Sequence, residues 1–102
     1  MTLATFSTLL KTLNKPIAYH HFDEPQTPPF IVYYTPDSND LFADNKNYVK
    51  VNRFMVELYT KTKDTALETS LDNLLDDYAY IKSEDYITSE GLFVVYYELE
   101  SE

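Results

Sequence analysis

The chain of 102 residues has no cysteine and a single glycine. Without cysteine there are no disulfides, no thiol nucleophile and no thiolate metal site, a composition that fits a reducing compartment. Gly91 alone cannot build a glycine-rich phosphate loop. No Gly-x-Ser-x-Gly elbow is present to expose a nucleophilic serine. No apolar run of about 18 residues occurs, so no transmembrane helix is expected. The opening Met1-Thr2-Leu3-Ala4-Thr5-Phe6 lacks a basic region and a long apolar stretch, so no signal peptide is expected. Basic side chains are also scarce: 8 Lys and Arg stand against 17 Asp and Glu, a formal net charge of −9. That balance argues against unassisted binding to nucleic acid or anionic membranes.

The sequence does supply core material. Hydrophobic residues make up 44% of the chain, enough for one core at this length, and residues 1–102 read as a single domain. Leu3, Phe6, Leu10 and Leu13 recur at spacings of three and four, which predicts an amphipathic helix capped by Thr2 and ended before Pro16. Residues 17–22 and 30–35 read as strands, and the short link between them, with Pro25, Pro28 and Pro29, suggests a hairpin. The second strand, Phe30-Ile31-Val32-Tyr33-Tyr34-Thr35, is apolar on both faces, as in a central or doubly covered strand. Residues 36–47 form the longest polar stretch and read as an exposed, mobile loop with Leu41-Phe42-Ala43 as an apolar patch inside it.

Residues 48–60 read as a long strand. Val49 and Val51 alternate in one phase and Phe54, Val56 and Leu58 in the other, which implies a bulge or a change of partner near Asn52-Arg53. Leu67, Leu71, Leu74, Leu75 and Tyr78 predict a second helix, capped by Thr62 or Asp64, with Glu68, Asp72, Asp76 and Asp77 on its outer face. Residues 80–87 and 92–99 read as strands joined by the Ser89-Glu90-Gly91 turn. The order is α-β-β-β-α-β-β. It predicts an α+β fold: a mostly antiparallel sheet with both helices packed on one face.

Candidate chemistry is sparse. Adjacent residues of a strand point to opposite faces, so His20 and His21 are not expected to chelate one metal, and His21 with Asp23 supplies only two ligands. Asp37-x-Asn39 fails as a calcium loop, with Phe42 where glycine is needed and Tyr48 where glutamate is needed. Asp76 and Asp77 are about 100° apart on a helix, a poor paired-carboxylate site. No catalytic residue, metal or cofactor is expected, and the chain reads as a non-enzyme. The ten tyrosines fit cross-strand packing, with some available to a protein interface. Charge is uneven: residues 1–60 carry five basic and six acidic groups, residues 61–102 three basic and eleven acidic. The second half is a solvated acidic face, or a surface that repels DNA or attracts a basic partner.

Three stretches taken together carry a family resemblance. They are Ile17-Ala18-Tyr19-His20-His21-Phe22 with Pro28-Pro29-Phe30-Ile31-Val32-Tyr33-Tyr34; Phe42-Ala43-Asp44-Asn45 with Tyr48; and Glu57-Leu58-Tyr59-Thr60-Lys61-x-Lys63-Asp64 with Glu68 and Leu71. Glu90-Gly91-Leu92 and Tyr96-Tyr97-Glu98 extend the pattern. Over residues 15–100 the chain resembles the small tail-completion, or tail-terminator, proteins of long-tailed siphophages and prophages of Gram-positive bacteria. The resemblance implies a structural protein of the virion, assembled in the host cytoplasm as a ring, often hexameric, at the top of the tail tube. Its implied partners are copies of itself, tail-tube proteins and head-completion proteins, with DNA passing through the ring and neither a membrane nor a specific nucleic-acid sequence bound. The alternatives are a head–tail connector adaptor and a small acidic inhibitor of a host protein. Within the 36–47 loop, Asn39, Leu41, Phe42, Asp44 and Asn45 are the expected partner or subunit contacts.

Overall fold

The computed structural model describes residues 2–36, 41–43, 46–49 and 52–101, the side chains of 41–43, 46–49 and 101 excepted. The expected α+β class is what it shows. Helix α1 (Leu3–Lys11) and helix α2 (Thr65–Leu74) lie with seven strands: β1 (Ile17–Tyr19), β2 (Phe30–Tyr34), β3 (Leu41–Ala43), β4 (Lys46–Val49), β5 (Asn52–Thr60), β6 (Tyr80–Ile87) and β7 (Leu92–Ser101). Five strands form the main sheet in the order β1-β2-β5-β7-β6, and the two helices with these five strands follow the order α-β-β-β-α-β-β. β3 and β4 form a separate antiparallel pair, Leu41 opposite Val49 and Ala43 opposite Lys46.

Local chemistry explains the element ends. The Thr2 hydroxyl accepts the Thr5 N–H at 3.1 Å and caps α1. The chain leaves that helix through Asn14, whose φ of 56° lies in the left-handed region that asparagine tolerates better than most residues. Asp64 caps α2 by accepting the Leu67 N–H at 3.0 Å. The turn between β6 and β7 closes with Gly91 at φ 64°, its N–H donated to the Ile87 carbonyl at 2.8 Å.

The side-chain period of two along β5 sorts the sheet into two faces. Phe54, Val56 and Leu58 are buried on one face, with Ile31 and Tyr33 from β2 and Val95, Tyr97 and Leu99 from β7. Phe6 and Leu10 of α1, and Leu71 and Leu75 at the α2 side, close over them, so both helices cover the same face. Phe6 packs on Phe54 with ring centroids 4.7 Å apart and meets Tyr33 edge-on at 6.2 Å.

Four expectations change. β1 pairs with β2 in parallel, Ile17 opposite Ile31 and Tyr19 opposite Tyr33, so residues 17–35 are not a hairpin. The chain leaves β1 at His20, which has φ 70°, and ten residues carry it back along a strand of only three. The 36–47 stretch is not a simple loop, because it contributes β3 and the start of β4. Residues 48–60 belong to two strands rather than one long strand, and the phase change near Asn52-Arg53 accompanies the change of partner that is one of its two readings: β4 pairs with β3, β5 with β2 and β7. Finally, Glu68 is not on the outer face of α2: it shares the inward stripe with Leu71 and Leu75 and is buried.

Leu58 is fully buried at the centre of the helix-covered face. Leu58→Ala is expected to lower the unfolding free energy by about 2–5 kcal/mol, read as a lower urea midpoint with an unchanged denaturant slope.

Candidate functional site

The face of the sheet turned away from the helices is built from the other phase of the same strands. Phe30, Val32 and Tyr34 come from β2, Met55, Glu57 and Tyr59 from β5, and Val94 and Tyr96 from β7. Register brings them together: Phe30 stands opposite Tyr59, Val32 opposite Glu57, and Tyr59 opposite Val94. Phe30 and Tyr59 stack with centroids 4.9 Å apart and planes 19° apart, and Phe22 meets Phe30 edge-on at 5.6 Å. Val32 and Val94 are buried although no helix of the described residues lies over them.

Glu57 is the acidic centre of this aromatic surface. Tyr59 donates its hydroxyl to one carboxylate oxygen at 2.6 Å and Tyr34 donates to the other at 3.1 Å. Burial raises the phenol pKa values of Tyr34 and Tyr59 above the ordinary 10, with the Glu57 charge and its hydrogen bonds adding to the shift. Burial first, then the charges of Glu57 and Asp85, raises Tyr96 as well.

Beside Glu57 lies a groove of about 460 Å³, walled by residues 20–26 and floored by Phe30, Val32, Glu57 and Tyr59, with Glu90 at one side. The wall begins in a tight turn. The His21 N–H reaches the Tyr19 carbonyl at 2.8 Å with His20 between them at positive φ, a γ-turn of the rare, strained kind. This turn overturns the strand argument about the histidines. The rings of His20 and His21 come together, Nδ1 to Nδ1 at 3.2 Å, and His20 also meets the Tyr34 ring at 5.8 Å. His21 Nε2 lies 3.6 Å from Asp23 as its spacing allowed. Among the described residues no group of three His, Cys, Asp or Glu is placed to hold a metal ion.

On the helix-covered face a second polar cluster ties α2 to β6 and β7. Buried Glu68 is reached by Lys63 at 2.8 Å and Lys82 at 3.3 Å; Lys82 also reaches Asp72 at 3.1 Å, and Lys63 reaches Glu84 at 2.5 Å. The buried Tyr97 hydroxyl donates to Asp72 at 2.6 Å. Burial, then Asp72, raises the Tyr97 pKa. Hydrogen bonds to Glu68 and Glu84 raise Lys63. Burial works against the charge of Lys82, but Asp72 and Glu68 outweigh it and the net shift is upward. This cluster is a clasp between elements.

Of the contact residues expected from sequence, Leu41 and Phe42 lie in β3, while Asn39, Asp44 and Asn45 lie outside the described residues. The groove residues Phe30, Glu57 and Tyr59 were visible in sequence only as strand positions. Their signal was the apolar second phase of residues 30–35 continued by the aromatic Tyr59, with one acid, Glu57, set inside it.

No protein-family model matches this chain, and a search of the curated proteins finds no match.

Two measurements follow from this geometry. The raised phenols and lysines share one sign: the folded state holds its protons to higher pH than the unfolded chain, so these groups leave stability unchanged below about pH 10 and reduce it above. In an alkaline titration followed by near-ultraviolet absorbance, Tyr59 and Tyr97 are expected to ionise only as the far-ultraviolet signal of folding is lost. Ionisation of all tyrosines near pH 10 with the fold intact would contradict this. At His20, both Gly and Ala remove the ring, but only Gly accepts φ 70° freely. His20→Gly is therefore expected to be about 1 kcal/mol more stable than His20→Ala by urea unfolding.

Proposed function

We propose that this chain is a structural assembly protein, a ring-forming tail-completion protein that caps a phage tail tube and joins it to the head. The observation that carries the proposal is the one-sided sheet. Two helices cover one face, and the other presents Phe22, Phe30, Tyr34, Tyr59 and Tyr96 around Glu57, with β1 and β6 as the sheet edges. Aromatic surface of this kind is the material of protein interfaces. The β6 edge is eight residues long and largely exposed, with Ile81 and Tyr86 projecting from it. A ring needs a head-to-tail contact that joins two different surfaces of the same subunit, and an uncovered face and a free-standing edge are two such surfaces. The family resemblance over residues 15–100 points the same way. An acidic surface suits a channel that DNA must slide through without sticking. In this reading the protein is not an enzyme and acts in the virion, at the head–tail junction.

The acidic-inhibitor alternative is less well supported. Glu68, Asp72 and Glu84 are paired with Lys63 and Lys82, which withdraws those carboxylates from a DNA-like array of charge.

Light scattering of the purified protein, alone and then mixed with tail tubes that lack it, tests the proposal. A ring, or stoichiometric binding to tube ends with restored head attachment, is the expected result. A monomer that ignores tubes and restores no attachment would overturn it. In the same assay, shortening residues 36–47 is expected to leave the main sheet folded and to abolish joining.

A further inference from the structure

We propose that the groove over Glu57 is a docking site for an arginine side chain in a basic segment of a partner protein. The inference does not rest on the ring reading, since it concerns what the groove recognises and not what assembles around it.

The floor supplies two kinds of contact that a guanidinium uses at once. Its apolar planar surface packs against aromatic side chains, and Phe30 and Tyr59, stacked on each other with centroids 4.9 Å apart, line the floor of the groove. Its fork of N–H donors matches the two oxygens of a carboxylate. Each Glu57 oxygen accepts one phenol hydrogen bond, and each keeps lone-pair capacity for a further donor. The two phenols fix the carboxylate plane before any partner arrives, so little side-chain freedom is lost on binding.

Charge complementarity decides the sign of the occupant. Asp23, Glu24 and Glu90 join Glu57 in lining the groove, and among the described residues no lysine or arginine lines it. The groove, about 460 Å³, has room for one long side chain. Lysine would satisfy the charge but could not fork across the carboxylate.

The arginine must come from another protein. Arg53 is the chain's single arginine, and it is engaged by Glu98 and Glu100 on β7. A second copy therefore offers no spare guanidinium to the groove.

The test is a titration of the isotope-labelled full chain with the peptide acetyl-Gly-Arg-Gly-amide at low salt, followed by backbone amide shifts. Saturable shifts confined to residues 20–24, 26, 57, 59 and 90 are expected. The matched citrulline peptide, isosteric but uncharged, is expected to bind about tenfold more weakly or worse, and so is the lysine peptide. Glu57→Gln is expected to lose arginine binding to a similar degree, and Tyr59→Phe to weaken it. Equal binding of citrulline or lysine, shifts centred on the carboxylates of α2, or no saturable shift would each overturn the proposal. The peptide comparison on the unaltered chain decides the matter even where a floor variant fails to fold. Failure here would leave tube capping untouched, and failure of tube capping would leave arginine binding standing.

Discussion

Side-chain alternation along β5 is the constraint on which both faces of this sheet depend. The strand pairs with β7 over all nine of its residues and with β2 over five. Phe54, Val56 and Leu58 therefore point together into the helices, while Met55, Glu57 and Tyr59 point together away from them. A slip of one residue would exchange the two sets, burying a carboxylate under α1 and exposing three apolar side chains. Packing of Phe6 on Phe54 and the clasp of Glu68 with Lys63 and Lys82 hold each helix to the correct side. Core and candidate site are thus two readings of one register.

The uncovered face shows how a small domain keeps an aromatic surface in water. Tyrosine suits such a face, since its ring supplies apolar area while its hydroxyl remains available for polar contacts. Glu57 gives two of those hydroxyls a partner, which orders the rings without a second layer of helices. The helix-covered face uses the same pairing in a buried setting, where Tyr97 meets Asp72. Both sites place a phenol against a carboxylate, and both make the folded state resist loss of the phenolic proton.

Most of the architecture was legible in the residues. Thr2 and Asp64 announced the helix starts, the leucine spacings their buried stripes, and Gly91 the last turn. The phase change between Val51 and Phe54 signalled the change of partner, though not that residues 48–60 are two strands. What escaped was long-range or conformational. Parallel pairing of β1 with β2 depends on where the link travels, and the positive φ of His20 has no signature in a run that reads as strand. Glu68 looked like a solvent residue because its partners, Lys63 and Lys82, are distant or outside the helix. The groove was hidden for the same reason: Glu57 and Phe30 are 27 positions apart and become neighbours only through register, though their residue types hinted at a second apolar face.

Parallel attachment at the β1 edge has a further consequence. α1 and β1 are consecutive along the chain, and β1 is tied to β2 through only three residue pairs. Helix α1 and β1 thus reach the sheet by two unlike attachments, a backbone seam of three pairs at its edge and the side chains of Phe6 and Leu10 in its core, so a change that loosens either one also loads the other.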